Sequence, residues 1–368
     1  MKIGIFSEIY HPIQNGVVAS IDALCAGLRA AGHDAIVVAP SGSSAVCVPS
    51  LPLPTRTAYR LVLPLLDRRQ RAHVKTLAVI HTHSPFVTGW MGVRYARRFG
   101  LPLIFTYHTQ LEEYAHYVPF ERSTTRRAAS TLTRTYANLA DTVVVPTAAM
   151  EARLRELGVH APIAVIPTGI DTEHFASGRR DSELRARLGA REGDRLALLV
   201  SRLAKEKNIE LAIRALPLIA GRHVRLVLAG EGPERAPLLE LARAAGVADR
   251  VHFLGHVPRA GLPALYASAD VFVFPSLTET QGLVLAEALV AGLPVVAVDT
   301  PQSRDVLAGA GRLVAPDPHA VAAALSVALG HRHEQSAAHL ALERFSLRLQ
   351  ANRTLDVYEG LLAERRTA

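Results

Sequence analysis

Apolar runs alternate with amphipathic helical patterns along almost the whole chain. Runs rich in Val, Ile, Leu and Ala predict buried parallel strands, and the segments between them repeat apolar residues at helical spacing. Strands are predicted at 2–6, 35–39, 78–81, 103–107, 142–146 and 163–167, and again at 196–201, 224–229, 251–254, 271–274 and 294–298. This alternation is typical of a doubly wound α/β fold.

The strand pattern occurs twice, and the polar stretch 171–194 separates the two series. A chain of 368 residues is long enough for two domains of ordinary size, so two Rossmann-like halves are predicted. Ligands of such sheets lie beyond the carboxyl ends of the strands. We therefore expect the two sets of strand ends to face one cleft.

The most informative segment is 278–294, with the sequence TETQGLVLAEALVAGLP. It follows a predicted strand, and Gly282 marks the start of an apolar-periodic helix, which is a favourable place for an anion. In helical geometry Glu287 lies about 80° round the axis and roughly 12 Å along it from Glu279. Two carboxylates so arranged do not flank one bond as those of a glycosidase do, so an elongated ligand is predicted.

Two further strand ends carry candidate phosphate contacts. Arg202 and Lys207, in SRLAKEKN, are suited to hold a diphosphate, although a solvated charge cluster is the alternative. Asn15-Gly16 follows the first strand, and a glycine there lets the backbone approach a phosphate. A plain turn is the alternative for that glycine, because the segment is not a G-x-G-x-x-G dinucleotide fingerprint.

Histidines follow two strands of the first half. His108, at the end of strand 103–107, is suited to bond a sugar hydroxyl or to orient an acceptor, with a structural histidine as the alternative. His81 and His83 have the spacing of a metal pair but lack a third ligand, and the chain has no D-x-D motif. A metal site is therefore not predicted.

The net charge of +8 and the isoelectric point near 9.8 call for an anionic partner. Nucleic acid is disfavoured, since no recognition motif occurs and aromatic residues are only 5% of the chain. The stretch 56–75 interleaves leucines with cations and suits a surface of anionic lipid, or else a surface helix docked by its leucines. Its cations are Arg56, Arg60, Arg68, Arg69, Arg71 and Lys75, and a second basic run contains Arg122, Arg126, Arg127 and Arg134.

Apolar residues form 49% of the chain, and the mean hydropathy is +0.18. No apolar run approaches the roughly 20 residues of a membrane-spanning helix, and the first residues read as a strand rather than as a signal peptide. The expected location is the cytoplasm or, peripherally, the inner face of the plasma membrane.

With these residues identified, the chain resembles GT-B glycosyltransferases of the retaining family 4 type over nearly its whole length. Glu279 and Glu287 match that family's E-x7-E motif, Arg202 and Lys207 its diphosphate-binding pair, and Gly16 its N-terminal loop glycine. The segments 167–171 and 230–233 match further family features. The resemblance implies an α/β fold of two facing Rossmann-like domains with parallel sheets, at 1–172 and 173–344, and a final helix 345–365 that crosses back to the first.

The resemblance also implies roles for individual residues. Glu279 would hold the hydroxyls of a donor sugar and Glu287 the ribose, while Arg202 and Lys207 neutralise the departing diphosphate. The backbone of Gly282, Leu283 and Val284 would meet the phosphates and the sugar. His108 would lie beside the transferred sugar, and Tyr107 and His108 on the side of the acceptor or the membrane. The implied reaction requires a nucleotide-sugar donor and no metal or other cofactor.

A narrower resemblance is to the glucosyltransferases that make monoglucosyldiacylglycerol, carried by 106–110, 112–117 and 279–283. Phosphatidylinositol mannosyltransferases are next. The implied reaction is transfer of a hexose, glucose from UDP-glucose, to a lipid hydroxyl such as that of diacylglycerol, with retention. A soluble sugar, polyol or natural-product acceptor, a GDP-mannose-dependent lipid mannosyltransferase and a non-catalytic binding module remain open alternatives. Nothing in the sequence indicates an oligomeric state.

Overall fold

The chain forms two compact units in the computed structural model. The structure describes residues 1–40, 45–53, 59–113, 121–219, 223–330 and 335–367, without the side chains of 335–337. The first unit is Met1–Gly169 together with Ser346–Ala368, and the second is Ile170–Phe345. The polar stretch 171–194, which the sequence suggested as a joint, lies within the second unit and contains two short helices.

The first unit is built on a seven-stranded parallel sheet in the order β3-β2-β1-β6-β7-β8-β9. Its strands are β1 (Lys2–Phe6), β2 (Asp34–Ala39), β3 (Val46–Cys47), β6 (Val79–Thr82), β7 (Leu103–Thr106), β8 (Thr142–Val145) and β9 (Ile163–Val165), and an antiparallel hairpin joins β4 (Ser50–Pro52) to β5 (Arg60–Val62). Its helices are α1 (Gly16–Ala30), α2 (Arg68–Val74), α3 (Val87–Phe99), α4 (Arg122–Ala137), α5 (Ala148–Glu156) and α15 (Leu347–Thr367). The inner strands are buried on both faces, which explains their continuous apolar runs.

The last helix of the chain, α15, packs against α1 in this first unit. A Cβ on Gly27 of α1 would lie 2.8 Å from the Cβ of Ala351, so only a glycine allows the two helices to come this close. Tyr358 of α15 is fully buried among residues of β1 and α1. The first sheet therefore takes one of its covering helices from the far end of the sequence.

The second unit has a six-stranded parallel sheet in the order β12-β11-β10-β13-β14-β15. Its strands are β10 (Arg195–Val200), β11 (Val224–Ala229), β12 (Val251–Gly255), β13 (Val271–Phe274), β14 (Val295–Val298) and β15 (Arg312–Val314). Its helices are α6 (Thr172–Ala176), α7 (Ser182–Arg187), α8 (Ile209–Ala215), α9 (Arg235–Ala244), α10 (Leu262–Ser268), α11 (Leu283–Val290), α12 (Pro301–Leu307), α13 (Pro318–Ala328) and α14 (Gln335–Arg344). The strand order reverses between β10 and β13, and at such a switch point a crevice opens beyond the strand ends.

The prediction of two Rossmann-like α/β units is confirmed, and the predicted strands agree with the observed ones to within two residues. The basic stretch 56–75 differs from a single amphipathic helix, because it contains β5, a turn and the seven-residue α2. Arg56 lies outside the described residues. Among the residues that the structure describes, no helix is both long and apolar enough to span a bilayer.

Candidate active site

The switch point of the second unit brings together two of the predicted site residues. Lys207 follows β10 and Glu279 follows β13, and Lys207 Nζ donates to Glu279 Oε1 at 2.5 Å. Their side chains are 15% and 17% exposed, so the pair is accessible without being fully solvated. A cation and an acid 72 positions apart thus meet because β10 and β13 are neighbours.

Hydrogen bonds tie the two loops that carry this pair. A 3-10 turn at Lys205–Lys207 ends at Asn208, whose φ of 49° is left-handed. Asn208 Nδ2 then donates to the Pro275 carbonyl at 3.2 Å, and Ser276 Oγ donates to the Glu206 carbonyl at 3.3 Å. The position of Lys207 is therefore fixed from both strands.

Arg202 lies in the same loop, immediately after β10. Its guanidinium is 54% exposed and donates to Oε1 of the largely buried Glu206 at 2.7 Å. This single partner leaves most of its five N–H donors directed to solvent, where a phosphate can approach. Arg202 and Lys207 thus provide two cations at one strand end, each next to a carboxylate.

Gly282 lies at the start of α11, as the sequence predicted. Its φ is 79°, and the helix begins at Leu283. A Cβ at Gly282 would also lie 2.9 Å from Phe274 Cζ, so both backbone and space favour glycine. Gly282 has no side chain to cap the helix, which leaves the first N–H groups, including those of Leu283 and Val284, available for an anion.

Glu287 lies one turn into α11 and is 5% exposed. Tyr266 of α10 donates its hydroxyl to Glu287 Oε2 at 2.8 Å. Burial raises the pKa of this carboxyl above its ordinary value, and the tyrosine bond opposes that rise. Tyr266 was not predicted, because its contact with Glu287 joins two helices and has no characteristic spacing in the sequence.

The Gly230-Glu231-Gly232 segment, only a partial fingerprint in the sequence, supports the loop that carries Arg202. Leu203 N donates to the Glu231 carbonyl at 2.9 Å, and Gly230 N donates to the Gly255 carbonyl at 2.7 Å. A Cβ on Gly230 would overlap the Ser201 carbonyl oxygen, and one on Gly232 would overlap that of Leu203. The glycines are needed because two backbones are in direct contact.

In the first unit, Gly16 is the first residue of α1 and is exposed. The side chain of Asn15 accepts from Val18 N at 3.0 Å and caps the helix. Nothing lies within 4 Å of the position where a Cβ of Gly16 would be. Packing among the described residues therefore does not require a glycine at this position.

His108 belongs to a row of three stacked histidines at the ends of β6 and β7. His108 Nε2 and His83 Nδ1 share a hydrogen bond of 2.7 Å, and the ring of His83 stacks on that of His81 at 4.4 Å. His81 bonds to the Tyr358 hydroxyl and to Thr106 Oγ1, both at 2.6 Å. His83 was considered in the sequence only as half of a metal pair, and its contact with His108 was missed.

Across the described ranges, no group of three or more His, Cys, Asp or Glu side chains is arranged to hold a metal ion.

Burial keeps these three imidazoles neutral at physiological pH. It lowers the pKa of His81 to about 3 and that of His108 to about 4, and it holds the pKa of His83 well below the ordinary value. A group with a pKa near 4 is a weak base at pH 7, so His108 is suited to hydrogen bonding rather than to proton abstraction.

We expect the stability of the first unit to fall in acid. In the unfolded chain the histidines titrate near pH 6.5, so their contribution to stability is complete above that pH. Below pH 6.5 the histidines of the unfolded chain bind protons, whereas those of the folded unit do not. For His108 this difference persists down to its folded-state pKa of about 4. Each histidine then lowers the free energy of unfolding by up to about 1.4 kcal/mol per pH unit.

Urea unfolding followed by the emission of Trp90, the single tryptophan of the chain, measures this effect in the first unit. A His81→Asn variant should show a shallower slope between pH 7 and pH 5. His73→Asn, which alters an exposed ring in the same unit, is the control and should keep the wild-type slope. An equal free energy of unfolding of the wild type at the two pH values contradicts the expectation.

Two assignments to the acceptor or membrane side need correction. Tyr107 is only 2% exposed and lies in the core of the first unit, because its side chain points away from the sheet edge that His108 occupies. Arg60 Nε and Nη2 donate to Ser50 Oγ and O at 2.7 and 3.0 Å, so this guanidinium holds the β4–β5 hairpin together. The remaining described cations of the stretch, namely Arg68, Arg69, Arg71 and Lys75, are exposed.

Comparison with known proteins agrees with this architecture. The family profile "Glycosyltransferase Family 4" matches residues 14–174, and the profile "Glycosyl transferases group 1" matches residues 180–339. Among solved structures, the sucrose-phosphate synthase of Thermosynechococcus elongatus superposes with a TM-score of 0.76 over 99% of each chain at 22% identity, which shows the shared GT-B fold.

Two relatives are similar in sequence over most of their length. The alpha-monoglucosyldiacylglycerol synthase of Acholeplasma laidlawii is 32% identical over 317 residues, which cover 80% of either chain. A GDP-mannose-dependent alpha-mannosyltransferase of Mycobacterium tuberculosis is 32% identical over 371 residues, covering 96% of this chain and 92% of the relative. With a GT-B fold, both profiles and these relatives in agreement, the chain belongs to the group 1 glycosyltransferases of family 4.

Proposed function

We propose that this glycosyltransferase moves a glucosyl residue from UDP-glucose to a lipid hydroxyl such as that of diacylglycerol, with retention at the anomeric carbon. The observation that carries the donor part is the Lys207–Glu279 pair at the switch point of the second unit, beside Arg202 and the start of α11. Cations and free helix N–H groups suit a diphosphate, and a carboxylate suits sugar hydroxyls. The lipid part is supported by the Acholeplasma relative, whose name gives the glucolipid it makes.

In this proposal, each of the two carboxylates binds a different part of the donor. Glu279 is accessible and accepts from hydroxyls of the sugar, while Glu287, buried and held by Tyr266, accepts from the ribose. Arg202 and Lys207 bind the diphosphate that joins the two. In the ligand-free chain the ammonium of Lys207 donates a hydrogen bond to Glu279. A bound diphosphate therefore competes with the Glu279 carboxylate for this ammonium.

Leaving-group stabilisation is then the main catalytic effect. The bond between the anomeric carbon and the phosphate oxygen breaks with its electron pair on the phosphate, and Arg202 and Lys207 stabilise the charge that develops there. The acceptor oxygen bonds to the anomeric carbon on the same face, and its proton passes to the departing phosphate. His108, a neutral hydrogen-bond partner, orients hydroxyls and does not act as the base. We propose that no metal ion takes part.

A lipid acceptor requires the enzyme to work at a membrane surface. The exposed cations Arg68, Arg69, Arg71 and Lys75 are suited to anionic headgroups, with about 1 kcal/mol for each cation near the surface. We therefore propose a peripheral enzyme on the inner face of the plasma membrane.

A second candidate is mannosyl transfer from GDP-mannose to a lipid. It is favoured by the mycobacterial mannosyltransferase, whose sequence identity to this chain equals that of the Acholeplasma glucosyltransferase and whose alignment covers a larger share of this chain. Both candidates use the diphosphate site in the same way, so they differ only at the base and the sugar.

A panel of labelled donors tests the proposal. UDP-glucose and GDP-mannose are each supplied with vesicles that contain diacylglycerol, and the label that extracts into chloroform is counted. Label from UDP-glucose in an α-linked glycolipid is the expected result, and label from GDP-mannose alone would favour the second candidate. Label that stays in water with sugar or polyol acceptors, or no transfer from either donor, contradicts lipid glycosylation.

A further inference from the structure

Exposed apolar side chains are concentrated in one part of the first unit. Among the described residues, seven of the twelve large apolar side chains that are exposed lie between residues 51 and 90, and the other five are spread over the second unit. Leu65 is 66% exposed, and Leu51 and Leu61, paired across the β4–β5 hairpin, are 54% and 52% exposed. Phe86 and Trp90 line one cavity together with Pro64, the neighbour of Leu65, and exposed apolar side chains that lie together in this way mark a site of interaction.

This cavity has a volume of about 540 Å³ and is formed by α3, by α4 and by the segments that precede α2 and α3. Its lining includes Pro64, Phe86, Trp90, Met91, Leu132 and Arg94. Met91 is buried in the core beneath, whereas Phe86 and Trp90 are 44% and 42% exposed at the mouth. The volume is in the range of small-molecule sites, about 300–1,000 Å³, and the lining is apolar apart from Arg94 and Tyr95. Such a lining suits an alkyl chain and offers almost no partner to a polar ligand.

Three arginines of α3 lie at the cavity or beside it. Arg94, Arg97 and Arg98 follow Trp90 by four, seven and eight residues, which places them on the same face of α3. All three are exposed, and with Trp90 and Val93 they line a second, shallower depression. The helices α2, α3 and α4 together contain ten arginines and no Asp or Glu. Asp67 and Glu121 cap α2 and α4, and Glu113 pairs with Arg126, so the surface around the cavity is strongly basic overall rather than uniformly positive.

We propose that this cavity takes one acyl chain of a phospholipid in an anionic bilayer, while the arginines of α3 bind the headgroups. This docking site rests on the proposed function, because a lipid acceptor brings the enzyme to a bilayer. It places the contact with the bilayer at α3 and the cavity rather than at the stretch 56–75 alone. A bilayer is favoured over a protein partner by the combination of cations, an interfacial tryptophan and an alkyl-sized cavity. The arginine face complements the negative surface potential of anionic lipid.

Trp90 is the single tryptophan, so its emission reports on this site alone. With phosphatidylglycerol vesicles we expect a shift to the blue and quenching by lipids brominated along the acyl chain. Phosphatidylcholine vesicles and high salt should weaken both effects, since the attraction of the arginines is screened or absent. Vesicles that sediment with the protein while Trp90 emission stays unchanged would overturn the assignment, as would an absence of sedimentation.

Charge reversal provides the matched test. Arg94→Glu with Arg97→Glu changes only exposed side chains and should weaken binding to phosphatidylglycerol vesicles about thirtyfold or more, because each lost cation contributes about 1 kcal/mol near the surface. Arg214→Glu with Arg243→Glu makes the same change of charge on exposed helix positions of the second unit and should leave binding unchanged. Equal losses in the two double variants would show a response to net charge only and would refute the site. A Trp90 shift that follows protein concentration without lipid would show that a second copy covers the surface, which also refutes it.

Transfer to diacylglycerol in detergent micelles separates this inference from the proposed function. The Arg94→Glu, Arg97→Glu variant should glycosylate micellar lipid as the wild type does and lose activity on vesicles. Loss of activity on both contradicts a docking role. If Trp90 enters the bilayer but no donor gives a glycolipid, the docking site stands and the proposed reaction fails.

Discussion

Replacement of Lys207 by alanine is expected to lower kcat by about 10²–10³, with a smaller change in KM for the donor. Removal of one preorganised donor from a developing oxyanion has an effect of that size in other enzymes. Lys207 is 15% exposed and held by Glu279, so its ammonium is preorganised rather than free to move. The measurement is steady-state transfer of labelled hexose with varied donor concentration.

Lys205 provides the control for this variant, because it lies in the same 3-10 turn and is exposed. Lys205→Ala removes an identical charge two positions away and should keep kcat within about twofold. Similar losses in the two variants would indicate that the loop needs positive charge in general. A Lys207→Ala enzyme with wild-type kcat would remove Lys207 from the mechanism.

Replacement of Gly230 by alanine is expected to destabilise the second unit by about 3 kcal/mol or more. Its φ of 141° is strained for any other residue, by about 1–3 kcal/mol, and the new Cβ would overlap the Ser201 carbonyl oxygen. Overpacking of this kind adds typically 1–3 kcal/mol, and a backbone atom cannot turn aside as a side chain can. Thermal unfolding should show a midpoint lowered by about 6 °C or more.

Gly246→Ala separates the two causes. Gly246 has a φ of 67°, but no atom lies within 4 Å of its Cβ position, so only backbone strain of about 1–2 kcal/mol is expected. Because the Gly230 loop contacts the segment next to Arg202, the Gly230 variant should also bind donor more weakly at temperatures where it is folded. If the two glycine variants are equally stable, the close backbone contact does not position this loop.

Much of the fold could be predicted because buried parallel strands have a simple signature. Strands such as β1, β10 and β13 are apolar on both faces, so their sequences are continuous runs of apolar residues. The β4–β5 hairpin and the short β15 were missed, since they are partly exposed and too short to give a period. The helix start at Gly282 was predicted correctly because a glycine preceded an apolar period.

The site was predictable only to the extent that its residues follow strands. Arg202, Lys207 and Glu279 were found in this way, since strand ends in a parallel sheet collect at one edge. The contacts that hold them depend on which strands are neighbours and on which helices pack, as with Tyr266 on Glu287 and His83 on His108. Tyr107 was misassigned because consecutive residues of an extended chain point to opposite sides. After β7, His108 points to the edge of the sheet where the strands end, so Tyr107 points into the core.

We propose that the switch point of the second unit binds the diphosphate of a sugar nucleotide. Thermal unfolding in the presence of UDP and of uridine tests it most directly, because the two ligands differ only in the diphosphate. We predict that UDP raises the unfolding midpoint, that uridine at the same concentration does not, and that Lys207→Ala abolishes the difference while Lys205→Ala keeps it. Equal shifts with UDP and uridine, or an unchanged UDP shift in Lys207→Ala, would show that Lys207 and the switch point do not bind the diphosphate.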